Sequence, residues 1–351
     1  MVARDPDSAA VSLLDLAAPE NPPGPQVLRF RPGKWTPAAA ARRKLLARRI
    51  SADTVVFHNY AGMTMLAGVI PHRRSVLYLH TNSADVFELL PHRIQFLDAV
   101  LASGGGLADE LKKIPACTVP VTPLEYPLGE SFFNAAAPEK SGGLVLGFSG
   151  RLDVVQKKAG RLVGLCAQLA ARGVCYRLEI AGTGPMEAAL RRQLAGRPVR
   201  FLGRLDEQAM SAAYAGWDLL VCTSDYETGP LVALEAMAAG TLPVMPDIPC
   251  QATALLRADN FPQYPKGDMA AAAALIQKLA GPGRDEPLRG KIRRLVAARK
   301  PELFMRQLLQ ELDKIETAPR RSQPLTPCRG IGGWLPFSLR SRLPGKDTFL
   351  K

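Results

Sequence analysis

Two series of short apolar runs, each run followed by a segment of helical period, constrain this chain more than any other feature. The first series is a VLRF run after Gln26, then TVVFHNY (54–60), SVLYLH (75–80) and AVLAS (99–103). The second is LVLGFSG (144–150), YRLEIAG (176–182), VRFLG (199–203), DLLVCTS (218–224) and LPVMP (242–246). Apolar strands alternating with helices are the signature of parallel α/β sheets, whose strands are buried on both faces. Between the series lies NAAAPEKSGG (134–143), a composition shift that reads as a linker. The expected fold is α/β, two Rossmann-like domains facing across a cleft, over 1–137 and 138–316, with a Pro/Gly-rich basic tail at 317–351. The helical periods at 158–172 and 186–194 fall in the second domain.

The 351 residues suit two domains, because single cores stop growing near about 250–300 residues. A chain 47% hydrophobic and 22% charged is neither disordered nor collagen-like, and no apolar run approaches the roughly 18 residues of a membrane span. Six scattered cysteines without a CxxC pair read as buried thiols in a reducing compartment. The opening residues, with Arg4, Asp5 and Asp7, contain no apolar core of a signal peptide, so a cytoplasmic location is expected. The net charge of +13 is not gathered in an aromatic-interleaved patch, which argues against nucleic acid. Its densest cluster, Arg42, Arg43, Lys44, Arg48 and Arg49, reads on a helix as a solvated face or as a surface for anionic lipid at the inner face of a membrane.

The richest stretch is WDLLVCTSDYETGPLVALEAMAAGTLPV (217–244). A strand ends in a polar loop, and Gly229 and Pro230 stand where a helix should begin, with Pro230 suited to the first helical position. That helix is expected to run to Ala239 and stop at Gly240. A strand–loop–helix edge directs backbone N–H groups and the positive end of a helix dipole at a ligand, a setting for phosphate or pyrophosphate. Glu227 and Glu235 flank it. Carboxylates beside a pyrophosphate suit hydroxyl groups instead, so a sugar ring and a ribose are the ligand ends they would hold. In GFSGRLDVVQKK (147–158), Arg151, Lys157 and Lys158 arrive at the carboxyl edge of the same sheet and could clamp a diphosphate. Arg151 could equally pair with Asp153, and the lysines could be solvated.

These landmarks together resemble the retaining glycosyltransferases of family 4, with the GT-B fold. The resemblance rests on the spacing from Glu227 to Glu235 followed by AMAAGTLPV, on SGRLD (149–153) with a following QK, on AGTGP (181–185) and on FLGRLD (201–206). It covers about 144–260 closely and 50–130 loosely. It implies that Glu227 contacts donor-sugar hydroxyls, Glu235 the ribose, and Arg151 and Lys157 the diphosphate, with Lys158 the rival for the last role. Gly150 lies within the SGRLD motif at the donor site. Gly229 and Leu231 would offer N–H groups, while Pro230 has none. Gly182 and Gly184 would let backbone approach the nucleotide, or simply form a strand-to-helix turn. The family also places a histidine at a strand end beside the donor sugar and acceptor. His80, which closes SVLYLH, is the match, with an orienting role; His58 is weaker.

The implied reaction moves a sugar from a nucleotide diphosphate sugar to an acceptor hydroxyl, on a glycan, a lipopolysaccharide or a lipid-linked chain, with retention. No cofactor and no metal is expected, since the one Asp-x-Asp is Asp5-Pro6-Asp7. Two departures bear on this. The family's glycine-rich N-terminal loop has no counterpart in residues 1–30, where the nearest stretch is PPGP (22–25), so either the first domain is abbreviated or the start of the sequence is misplaced. The stretch after LPV reads MPDIPCQATALL, without the usual glycine pair. A nucleotide-sugar epimerase of the same fold and a donor-binding protein without transfer activity are the alternatives. A dinucleotide oxidoreductase would want G-x-G-x-x-G after the first strand, which is lacking.

Overall fold

A computed structural model describes residues 54–58, 73–80, 90–92, 94, 97–115, 117–136, 143–227, 229–280 and 286–315. The basic cluster at Arg42–Arg49, the run after Gln26, the PPGP stretch and the tail beyond Ile315 lie outside these residues. The chain divides into two units, one of residues 1–125 with 307–351, the other of residues 126–306.

In the first unit, β1 (Thr54–His58), β2 (Arg74–Leu79), β3 (Ala99–Ala102) and β4 (Val121–Pro123) form a parallel sheet in that order. From Ser75 to Leu79 every β2 residue is buried, which is why the run is apolar without alternation. Helix α1 (Gly105–Lys112) follows β3 and buries Ala108 and Leu111. Asp98, just ahead of β3, accepts the Ser75 N–H at 2.8 Å, while its own N–H reaches the Ser75 carbonyl at 2.8 Å, so the side chain clamps the start of β2 to β3. The sequence patterning does not show β4. Its three residues end in Pro123, which a sheet tolerates only at the edge position it occupies.

The second unit carries a five-stranded parallel sheet in the order β7-β6-β5-β8-β9. These strands are β5 (Leu144–Ser149), β6 (Tyr176–Ala181), β7 (Val199–Gly203), β8 (Leu219–Val221) and β9 (Leu242–Val244). Helices α3 (Arg161–Ala171), α4 (Glu187–Gln193), α5 (Glu207–Gly216) and α6 (Leu231–Ala238) link successive strands. Beyond β9 come α7 (Gln251–Ala258), α8 (Met269–Leu279), α9 (Glu286–Leu295) and α10 (Pro301–Lys314). The unit begins earlier than the expected 138. Helix α2 (Glu130–Phe133) belongs to it, because Phe132 packs edge-on against Tyr214 at 5.8 Å and Ser131 bonds both Glu207 and Ser211. The end of α10 returns to the first unit, where the Arg74 guanidinium donates to the Leu312 carbonyl.

Strand order grows outward from β5 in both directions, so the chain reverses between β5 and β8. Two contacts hold that seam. Asp218 repeats the clamp of the first unit: it accepts the Val145 N–H at 2.8 Å and returns its own N–H to the Val145 carbonyl at 2.8 Å. Trp217, 1% exposed, then lays its indole where Gly147 has no side chain, and a Cβ there would sit 1.9 Å from the ring. The indole N–H is satisfied by Glu179 on β6 at 2.9 Å. Cys166 and Cys222 are buried as the composition suggests, but Cys175 is exposed in the turn before β6.

Gly147→Ala forces this contact open. Overpacking of a filled core costs about 1–3 kcal/mol, and this overlap should reach the upper end, about 3 kcal/mol. Urea unfolding measures it; a loss under about 1 kcal/mol would contradict the packing described, since that is the lower limit for such strain.

Candidate functional site

The site is built at the carboxyl ends of β5, β6 and β8, the edge where open α/β sheets bind ligands at a reversal of strand order. The loops after β5 and β6 lie backbone to backbone. Gly150 N–H donates to the Ala181 carbonyl at 3.1 Å, Leu152 N–H to Thr183 at 3.0 Å and Met186 N–H to Leu152 at 3.0 Å. That approach requires Gly182, with φ +127°, since a Cβ there would sit 1.9 Å from the Gly150 carbonyl oxygen. Gly184 faces Leu152 in the same way. The two glycines thus permit this close contact between the loops.

Asp153 organises the loop after β5. Its Oδ1 accepts the backbone N–H groups of Val155, Gln156 and Lys157 at 2.9–3.0 Å, and its Oδ2 takes Arg151 Nε at 2.6 Å. Burial alone would raise the Asp153 carboxyl, but the Arg151 hydrogen bond and the N–H groups outweigh it and hold the group below its ordinary range. Arg151, 64% exposed, is thus committed to Asp153 and not to the buried groups deeper in the crevice. Lys158 has φ +49°, a left-handed turn that sends the neighbouring lysines apart. Lys158 Nζ goes to Asp225 at 3.3 Å, beside Arg161 at 2.6 Å. Lys157 alone turns inward, its chain running past Gly150.

Lys157 Nζ donates to Glu227 Oε1 at 2.6 Å. Glu227 is 8% exposed, and it also accepts Ser224 Oγ at 2.6 Å and Gln156 Nε2 at 3.3 Å. The two loops are laced around this pair: Asp225 N–H donates to the Gln156 carbonyl at 3.0 Å and Thr223 Oγ1 to the Lys157 carbonyl at 2.7 Å. Arg161 Nη1 donates to the Thr223 carbonyl at 2.8 Å. An ammonium and a carboxylate, both largely out of water, therefore bridge the ends of β5 and β8. Removing either partner would leave an uncompensated charge, which is why such pairs are held in place by further hydrogen bonds. Below the pair, burial first and then the Glu227 charge push the Cys222 thiol up to about 12, despite Lys157.

Helix α6 begins after the loop. Pro230 is the N-cap, not the first helical residue; with φ −72° and ψ 77° it centres an inverse γ-turn in which Leu231 N–H donates to the Gly229 carbonyl at 2.7 Å. Leu231 thus offers its N–H to a ligand only if that turn opens. Pro230 has no side-chain acceptor to cap this end, and the positive end of the helix is directed at the loop. Glu235, one turn into α6, bonds Tyr214 through Oε2 at 3.2 Å. His80 belongs to the first unit, where it comes directly after β2, stacks edge-on against Tyr78 at 4.3 Å and accepts Ser103 Oγ on its carbonyl at 3.3 Å. Among the described residues no group of three His, Cys, Asp or Glu could hold a metal ion, and no helix is long and apolar enough to cross a membrane.

The sequence offers Asp153 only as a partner for Arg151 and gives no role to Gln156, Ser224, Asp225, Arg161 or Tyr214. An Asp two to four residues ahead of the N–H groups it accepts is a readable local motif. Tyr214, 21 residues before Glu235 and on another helix, offers no such signal.

Residues 143–281 match the family model of glycosyl transferases group 1. A GDP-mannose-dependent α-(1-6)-phosphatidylinositol dimannoside mannosyltransferase of Mycobacterium tuberculosis is 30% identical over 218 residues, 59% of this chain and 54% of that protein. The chain thus spans about half the length of that relative. Sulfoquinovosyl transferase SQD2 of Arabidopsis thaliana is 42% identical over 69 residues, 20% of this chain and 13% of that one. Among solved structures, sucrose-phosphate synthase of Thermosynechococcus elongatus superposes with a TM-score of 0.63 at 18% identity, covering 87% of this chain and 88% of its own. S. aureus TarM, solved with α-GlcNAc-glycerol and UDP, gives 0.63 at 14% identity over 78% and 58%. The fold is the GT-B fold.

Asp153→Ala tests the loop. It should cost about 1–2 kcal/mol at pH 7, the scale of hydrogen bonds to a charged acceptor. Because the folded carboxyl lies below its unfolded value, its contribution is complete above about pH 4 and is lost as pH falls through the lowered value. Denaturant unfolding of wild type and variant at stepped pH should therefore show a constant gap down to about pH 4 that closes below it. A gap that closes between pH 7 and 5 would refute this role.

Proposed function

We propose that this protein is a retaining glycosyltransferase that moves a sugar from a nucleotide diphosphate sugar to an acceptor hydroxyl, without a metal ion. The observation that carries the reading is the buried Lys157–Glu227 pair bridging β5 and β8 beside the start of α6. It falls inside the segment that matches glycosyl transferases group 1. Lys157 has three donors and can keep one on Glu227 while giving another to a phosphate oxygen. Glu227 then turns its remaining acceptor capacity to hydroxyls of the donor sugar, and Glu235 accepts those of the ribose.

In the reaction the bond from the anomeric carbon to the diphosphate oxygen breaks, and a bond to the acceptor oxygen forms on the same face. The acceptor proton passes to the departing diphosphate. Charge grows on that leaving group, so fixed donors aimed at it, Lys157 and the first turn of α6, stabilise the transition state more than the ground state. For His80 the proposal keeps the orienting role that the family resemblance implies. Arg151 reaches the diphosphate in this reading only by exchanging Asp153 for it, and Lys158 only by leaving Asp225. The M. tuberculosis relative is named for a GDP-mannose donor and a phosphatidylinositol mannoside acceptor, which supports a lipid-linked glycan as the acceptor class; work at the inner face of a membrane is part of the same proposal. The cationic residues Arg42 to Arg49 suit such a surface.

Calorimetric titration with GDP-, UDP- and ADP-sugars should find one donor that binds. Glu235→Ala should weaken it by about 1–3 kcal/mol, the cost of an unpaired ribose hydroxyl. With that donor, NMR of the product anomeric proton reports retention. A folded protein that binds no nucleotide sugar would overturn the reading.

A further inference from the structure

The hydroxyl of Tyr214 is buried at the carboxyl edge of the second sheet, reached from α5 through the core. The ring is packed edge-on against Phe132 at 5.8 Å and Trp217 at 5.4 Å, and Thr241 anchors the backbone by donating its hydroxyl to the Tyr214 carbonyl. A buried phenol needs one hydrogen-bond partner, and Ser149 Oγ at the end of β5, 3.3 Å away, would serve. Its oxygen nevertheless also lies 3.2 Å from Glu235 Oε2 on α6. One phenolic proton cannot go both ways. An ionised carboxylate only accepts, so Tyr214 donates to Glu235, and Ser149, whose Oγ also lies 3.6 Å from the weak acceptor Met210 Sδ, gives its proton to the Tyr214 oxygen. Burial, and then the Glu235 charge, push the Tyr214 hydroxyl well above its ordinary value, so it stays a donor at any working pH. The result is a directed chain, Ser149 to Tyr214 to Glu235, in which each bond strengthens the next.

We infer that Tyr214 is a positioning residue for the nucleotide end of the donor, holding the Glu235 carboxylate in the orientation that accepts ribose hydroxyls. This rests on the role proposed above for Glu235. A glutamate on a helix has three rotatable bonds, and an unanchored one would lose that freedom on binding. Bonding Oε2 to this packed ring fixes the carboxylate plane before the ligand arrives. Ser149 neighbours Gly150 and the loop that carries Lys157, so one rigid edge positions both the ribose-binding and the diphosphate-binding residues.

The test is Tyr214→Phe, which keeps the ring and removes the hydroxyl. Affinity is measured by calorimetry for the nucleoside diphosphate that binds best and for its 2′,3′-dideoxy form. Tyr214→Phe should weaken the ribose form about tenfold and leave the dideoxy form within about twofold, the scale of one charge-assisted hydrogen bond. In the double variant with Glu235→Ala, the loss should not exceed that of Glu235→Ala alone. Equal losses for both nucleotides, or none for either, would overturn the inference and assign Tyr214 to packing only. If Tyr214→Phe does not fold, Ser149→Ala, which removes the donor behind Tyr214, carries the same comparison with the same two outcomes. A wild type that binds no nucleotide overturns this inference together with the proposed function. Weakening by Glu235→Ala with Tyr214→Phe unaffected overturns this inference only.

Discussion

The seam between β5 and β8 is the constraint on which the second unit depends. Parallel strands do not specify their neighbours strongly, because every buried run is apolar. Here the choice is made by shape and by one carboxylate. The Trp217 indole occupies the volume that any side chain at Gly147 would need, and Asp218 closes a two-way bond with Val145. With β8 fixed beside β5, the order β7-β6-β5-β8-β9 is set, and the loops after β5 and β8 are forced to diverge over a shared crevice. The first unit uses the same clamp, Asp98 on Ser75, to seat β3 beside β2.

The electrostatics of the crevice derive from that geometry. Lys157, Lys158 and Arg161 after β5 pair across the seam with Glu227 and Asp225 after β8, while Arg151 stays with Asp153 in its own loop. Asp153 organises the first loop through its N–H groups and so decides which lysine turns inward. Lys158 and Arg161 neutralise Asp225 near the surface, which leaves Lys157 and Glu227 as the buried pair. A site that holds opposite charges already satisfied, beside the positive end of a helix, suits a ligand that brings both phosphate and hydroxyl groups.

Much of this was legible in the residues alone. The apolar runs located eight of the nine described strands, because burial on both faces removes alternation and leaves a plain apolar signal. Glu227, Arg151 and the two lysines were visible as polar residues past strand ends, and Glu235 by its place in the helix that follows. What could not be read was pairing. Whether Arg151 would meet a ligand or Asp153, and which lysine would face Glu227, depends on a left-handed turn at Lys158 that no propensity predicts for lysine. β4 escaped because its prolines read as loop, and α2 because four residues give no helical period. The unit boundary was displaced for the same reason: Phe132 belongs to a core assembled from residues 80 positions later.

The central claim is that the Lys157–Glu227 crevice holds the diphosphate and the sugar of one donor. A crystal structure with that nucleotide sugar tests it most directly. The account predicts diphosphate oxygens within hydrogen-bond distance of Lys157 Nζ and over the first turn of α6, with the sugar hydroxyls on Glu227 and the ribose on Glu235. A nucleotide bound with its diphosphate away from the β5–β8 edge, and the Lys157–Glu227 pair untouched, would contradict it.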